Sequence, residues 1–142
     1  MKVPRIKINE EGLNRFFGYL EAQIMEIVWD RGEMTTKQVQ SLLVEDVSYN
    51  AVMTVMNRLY EKGHLHKITT GLGRNRLSKY SAVQSKDEFL EEQTRAMTED
   101  LVKGYGELVV NHLFDAVQKV DPKLLSLLES RLNEWKRDPS CE

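Results

Sequence analysis

Residues 48–82, SYNAVMTVMNRLYEKGHLHKITTGLGRNRLSKYSA, combine side chains that bind a polyanion with a periodicity that would present them. Lys and Arg occur six times there (Arg58, Lys62, Lys67, Arg74, Arg76, Lys79) against one acid, Glu61, in a chain of formal net charge −2. A local excess of that size is the electrostatic footprint expected of a phosphate-backbone contact. At about 100° per residue, Asn50, Thr54 and Asn57 point away from the apolar positions Val52, Val55, Met56 and Leu59. Asn suits bidentate contact with adenine, and Thr can bond a base edge or touch a thymine methyl. The first residues of a recognition helix usually reach bases, so Asn50 and Thr54 are the expected base readers. Ser48 and Tyr49 are placed to meet phosphate, with Ala51 and Arg58 flanking. Arg74 and Arg76 sit on a Gly-rich tip that would touch the minor groove or the backbone, supported by Lys67 and Lys79 on the strands. A polar helix face can be merely solvated. The basic hairpin that follows this one favours DNA.

Other chemistries find little support. His64 and His66 are two apart without a nearby cysteine, a weak metal signal, and no metal or cofactor is expected. No G-x-x-x-x-G-K-[ST], H-E-x-x-H or G-x-S-x-G motif occurs, and Gly71-Leu72-Gly73 is too short for a nucleotide fingerprint. The acidic pairs Glu10-Glu11, Glu91-Glu92 and Glu99-Asp100 read as solvated faces. No base and nucleophile can be assembled, so an enzyme is not expected. The absence of a long apolar run and of a signal core suggests a cytoplasmic protein without a membrane span. The single cysteine, Cys141, reads as a frayed terminal thiol.

The elements that must position these residues can be read from the same chain. Leu20, Ile24, Ile27 and Val28 recur as one helical face, which Asp30-Arg31-Gly32 ends. Thr35 and Gln38 form a capping box opening a short helix whose Val39, Leu42 and Leu43 should face inward. Ser48 can cap the third helix, and Gly63 supplies its C-terminal glycine. Leu65–Thr69 alternates as a strand, Gly71 and Gly73 mark a turn, and Leu77–Ala82 returns. Three helices followed by a two-stranded hairpin is the winged-helix order. The expected fold is mainly α with a small β-hairpin: a winged helix-turn-helix DNA-binding domain at 19–83, then a helical dimerisation domain at 84–137. Residues 1–18 read as a tail or a short extra element, and 138–142 as a C-terminal tail.

Charge divides along the same line. Residues 1–82 carry 12 basic and 9 acidic side chains, and residues 83–142 carry 8 and 13. The second half would be repelled by a polyanion. Ser85 and Glu88 form a second capping box, Gly104 and Gly106 should bend or split the long helix that follows, and Asp121-Pro122 opens the last one. Leu101, Tyr105, Leu108, Val109, Leu113, Leu124, Leu128 and Leu132 are too many large apolar groups for so few helices to hide. A homodimer is inferred.

These residues resemble the penicillinase and methicillin-resistance repressor family (BlaI/MecI type). The likeness is carried by Val28-Trp29, by Thr35 with Val39, and by Thr54-Val55-Met56-Asn57-Arg58-Leu59-Tyr60-Glu61-Lys62-Gly63. It covers roughly residues 19–136 and extends to LVKGYGELVVNHLF, similar to the family's dimerisation segment. The resemblance implies a homodimeric repressor on a dyad-symmetric, double-stranded DNA operator. Ala51 stands where members often carry Thr, and the wing looks longer than usual. Members released by a sensor protease are cut at an Asn-Phe bond, where this chain has His112-Leu113. Copper-responsive relatives use C-terminal cysteine pairs, which a lone Cys141 does not reproduce. The competing reading is a winged-helix protein-interaction module, which would not require the basic segment.

Overall fold

The computed structural model describes Lys7 and residues 10–137, so Cys141 and the 138–142 tail lie outside the described residues. Helix α1 (Tyr19–Arg31) leads to a two-residue strand β1 (Met34–Thr35), helix α2 (Thr36–Leu42) and helix α3 (Tyr49–Glu61). Strands β2 (Leu65–Thr70) and β3 (Leu77–Ala82) form the hairpin, and α4 (Lys86–Val120) and α5 (Lys123–Arg137) complete the chain. The chain divides into two compact units between Gln93 and Thr94, inside α4.

In the first unit each helix begins and ends on a local signal. Thr35 Oγ1 accepts from the Gln38 amide at 3.2 Å, and Gln38 Oε1 accepts from the Thr35 amide at 2.9 Å, closing the capping box of α2. Ser48 Oγ accepts from the Ala51 amide at 3.2 Å at the start of α3. At its end Gly63 takes φ +88°, and the amides of Gly63 and His64 donate to the carbonyls of Tyr60 and Leu59. That paired closure requires a left-handed residue, which glycine adopts without a Cβ penalty. The helix therefore stops at a defined backbone angle and hands the chain to β2.

The core gathers Ile24, Met25 and Val28 of α1, Val39 of α2, and Val52, Met56 and Leu59 of α3, with Leu65 and Tyr80 of the sheet. Leu20 and Ile27 pack at its edge. Leu42 differs from expectation: it is exposed, because α2 ends there and Leu43 leaves in extended conformation to pack on the core in its place. The sheet has three strands, in the order β1-β3-β2, all antiparallel. Met34 pairs with Tyr80 and Thr35 with Lys79, so a third strand joins the hairpin read from the sequence.

The short extra element is a 3-10 turn at Gly12–Arg15. It delivers Phe17 into the core, where its ring stacks on Phe89 from the first turns of α4 at 5.1 Å. Phe16, Trp29 and His64 close around Phe89 at 5.8, 5.5 and 5.8 Å. Trp29 Nε1 donates to the Gln84 carbonyl at 3.0 Å, tying α1 to the segment before α4. Ser85 and Glu88 form the second capping box, with both bonds at 3.1 Å, and the hydrogen bonds from Ser85 hold the Glu88 carboxyl below its usual range.

His64 and His66 part company: His64 enters the aromatic cluster, while His66 is exposed. Burial, reinforced by the Lys62 charge, lowers the His64 pKa below 6.5, against the opposing pull of Glu21 and Glu92. The unfolded chain thus takes up a proton at a pH where the folded one does not. Stability from this group is complete above 6.5 and is lost as the pH falls through and below that value. Melting temperature should fall between about pH 7 and about pH 5.5, and His64→Gln should flatten that part of the curve. An identical slope in the variant would assign the pH dependence to other groups.

In the second unit, Tyr105 departs from helical geometry (φ −138°, ψ 34°), a kink in α4 between Gly104 and Gly106 as those glycines suggested. Asp121 Oδ1 accepts from the Lys123 amide at 3.1 Å to open α5. Among the described residues no helix is long and apolar enough to cross a membrane.

Candidate nucleic-acid interface

Helix α3 is fixed by its apolar face, since Val52, Met56 and Leu59 are fully buried. Its opposite face is thereby turned outward. Tyr49, Asn50, Thr54 and Arg58 are exposed, while Ala51, Met53 and Asn57 are half-buried. Ser48 Oγ accepts from the Ala51 amide, which leaves its hydroxyl hydrogen able to donate. Thr54 Oγ1 donates to the Asn50 carbonyl at 2.8 Å, which fixes the Thr54 rotamer and leaves its oxygen able to accept.

The wing is the β2–β3 hairpin, paired from Leu65↔Ala82 to Thr70↔Leu77. Its tip turns through Gly71 (φ +83°), where a Cβ would collide with the Asn75 carbonyl, so the tight turn admits only glycine. A 3-10 turn at Gly73–Asn75 follows, and Leu72, Arg74 and Arg76 all project into solvent. Lys79 faces Glu33 at 3.9 Å, and Lys62 pairs with the buried Glu21 at 3.1 Å. Both carboxylates come from outside the basic segment, so part of its charge is neutralised in place. Lys67, Arg74 and Arg76 remain the cations nearest the wing surface.

Between α3 and the wing runs a groove of about 750 Å³. Tyr49, Met53 and Asn57 line one wall, Lys67, Arg76, Ser78 and Tyr80 the other, and Thr35, Thr36, Lys37 and Gln40 of the α2 start close one end. Three cations, Lys37, Lys67 and Arg76, thus overlook one concave surface, the chemistry suited to a phosphate chain. At its floor Asn57 Oδ1 accepts from the Tyr80 hydroxyl at 2.8 Å and from Lys67 Nζ at 3.0 Å. Lys67 Nζ also lies 5.7 Å from the centre of the Tyr60 ring and 5.6 Å from that of Tyr80. Burial, with a smaller contribution from Tyr49, raises the Tyr80 pKa above 10, so its hydroxyl stays a proton donor at neutral pH.

Sequence reasoning placed Asn50, Thr54, Arg74 and Arg76 outward, and they are outward. It did not find Lys37 or Tyr80. Lys37 lies in the first turn of α2, which carries no basic cluster of its own. Tyr80 stands on one face of the returning strand, but that alone does not show that the face meets α3. No group of three or more His, Cys, Asp or Glu suited to a metal ion occurs among the described residues.

Three helices, a hairpin wing and a cation-lined groove between wing and third helix define a winged-helix domain. The chain belongs to the penicillinase repressor family, whose model matches residues 17–134. It is accordingly a DNA-binding repressor by family. Among solved structures it is similar to the transcriptional regulator PA4135, at 14% identity over 78% of this chain and 82% of that one, with a TM-score of 0.46. It is also similar to the Adhesin competence repressor (AdcR) from Streptococcus pyogenes, at 16% identity over 87% and 81%, with a TM-score of 0.40. No curated protein sequence matches it significantly.

Proposed function

We propose that the chain works as a homodimer on a dyad-symmetric operator and represses by occluding a promoter. Helix α3 enters the major groove with Asn50 and Thr54 toward base edges, and Ser48, Tyr49 and Arg58 near phosphates. The wing lays Arg74 and Arg76 on the backbone or minor groove. Carrying this reading is the groove shared by α3 and the wing, where Lys37, Lys67 and Arg76 face one concave surface beside the exposed Asn50 and Thr54.

The apolar faces of the second unit support the pairing of two copies. Leu101, Tyr105, Leu108, Leu113, Leu124, Leu128 and Leu132 are all exposed in the single chain, and Val109 is half-buried. An exposed apolar surface of that extent marks an association face. Two reading units held by it would meet half-sites spaced by whole DNA turns, ~34 Å each. His112 and Leu113, where relatives are cut, lie in helical backbone of α4.

The test is fluorescence anisotropy across a salt series with the protein's own upstream DNA beside a scrambled duplex. Tight, salt-sensitive binding at two chains per site supports the repressor reading, and absence of binding at low salt defeats it. Arg74→Ala with Arg76→Ala should weaken binding to all duplexes roughly tenfold and reduce the salt slope by about 2. An unchanged slope would take the wing off the DNA. Asn50→Ala should instead relax discrimination at particular base pairs.

A further inference from the structure

We propose that Asn57 and Tyr80 are positioning residues, which clamp the wing to α3 through Lys67, and that Asn57 does not read a base. The proposal rests on the DNA-docking reading above and deepens it.

Asn57 Oδ1 takes the Tyr80 hydroxyl proton at 2.8 Å and a Lys67 ammonium proton at 3.0 Å. A carbonyl oxygen has two lone pairs, and both are engaged. Bidentate recognition of adenine needs that oxygen to accept from the base while the amide nitrogen donates. Asn57 could do so only by breaking both bonds and leaving the hydroxyl of Tyr80, a residue only 2% exposed, without its acceptor. Asn50, about two turns nearer the helix start on the same line, has an exposed side chain and faces no such conflict.

The two donors come from opposite strands of the wing. Lys67 of β2 and Tyr80 of β3 are direct partners in the ladder. Their side chains converge on the same atom of α3, and the Lys67 ammonium is further held against the rings of Tyr60 and Tyr80. Three elements therefore meet at one point, which sets the angle between wing and helix. The same contacts fix where the Lys67 charge sits, on the wall of the groove beside Arg76 and Ser78. Among the described ion pairs none joins Lys67 to a carboxylate, so its charge is available to a phosphate.

Two measurements on the full chain test the clamp. Tyr80→Phe removes one hydroxyl and keeps the ring, so its thermal melt should stay close to wild type. In the wild type, Arg74→Ala with Arg76→Ala should weaken operator binding roughly tenfold; in the Tyr80→Phe background the same pair should weaken it less than about threefold, because a wing that is no longer aimed contributes less. Asn57→Ala, assayed on a panel of operators changed at single base pairs, should bind all of them more weakly in an unchanged rank order. Strictly additive effects of Tyr80→Phe and the arginine pair would overturn the clamp. So would an Asn57→Ala protein that loses discrimination at one base pair, which would make Asn57 a reader. Failure of the wild type to bind its operator at all is a different result, and would remove the DNA-docking reading itself.

Discussion

Phe89→Ala should destabilise the first unit by about 3–5 kcal/mol, the range for deleting a buried aromatic ring. Phe89 is 1% exposed and touches the rings of Phe16, Phe17, Trp29 and His64. These come from the N-terminal segment, α1 and the α3–β2 junction, so one side chain of α4 joins parts far apart in sequence. Trp29 is held by its bond to the Gln84 carbonyl, which opposes its collapse into the cavity. Small domains hold roughly 5–15 kcal/mol in total, so the variant should lose a large fraction of its stability. Urea unfolding followed by tryptophan fluorescence would measure it. A loss below about 1 kcal/mol would show that the cluster collapses onto the vacancy and that Phe89 is replaceable.

Leu124→Asp with Leu128→Asp should convert the protein to a monomer and weaken operator binding by about 10²–10⁴-fold, while leaving the first unit folded. The two leucines are four residues apart on α5, hence on one face, and both are exposed in the single chain. If that face is buried against a second copy, two carboxylates there would face an apolar surface without partners, at a cost of several kcal/mol. Operator affinity would fall because the second half-site contact would no longer be made at high effective concentration. Sedimentation equilibrium reads the mass, and anisotropy on full and half operators reads the affinity. A variant that stays a dimer would place the association face elsewhere. A monomer with undiminished operator affinity would show that pairing does not contribute to binding.

What the chain disclosed in advance was local. Thr35 and Gln38, Ser48, Gly63, Ser85 and Glu88, and the Gly104–Gly106 pair each act within about four residues, and each is where the pattern placed it. Helix α3 was legible because its apolar and polar positions repeat over 13 residues. Strand β1 was not, because two residues carry no period, and its strand character comes from Tyr80 and Lys79 across the sheet. Phe17 looked like part of a polar tail; only its contact with Phe89, 72 positions on by numbering, makes it core. Asn57 is the sharpest case. Its wheel position set it beside Asn50 and Thr54, but the hairpin folds back on α3 and supplies two donors, 10 and 23 residues away, that no helical projection contains.

The closure of α3 at Gly63 has a mechanical side. Strand β2 leaves that glycine and runs six residues to the tip, a lever of ~20 Å at ~3.3 Å per residue. An error of about 10° at the pivot would sweep Arg74 and Arg76 through ~3–4 Å, comparable to the ~3.4 Å axial rise per nucleotide of one strand. A single backbone angle thus decides how closely the tip would meet a phosphate. A lever so long, turning on so small a bearing, holds its aim only if braced partway along, and Lys67, the third residue of the strand, supplies the brace.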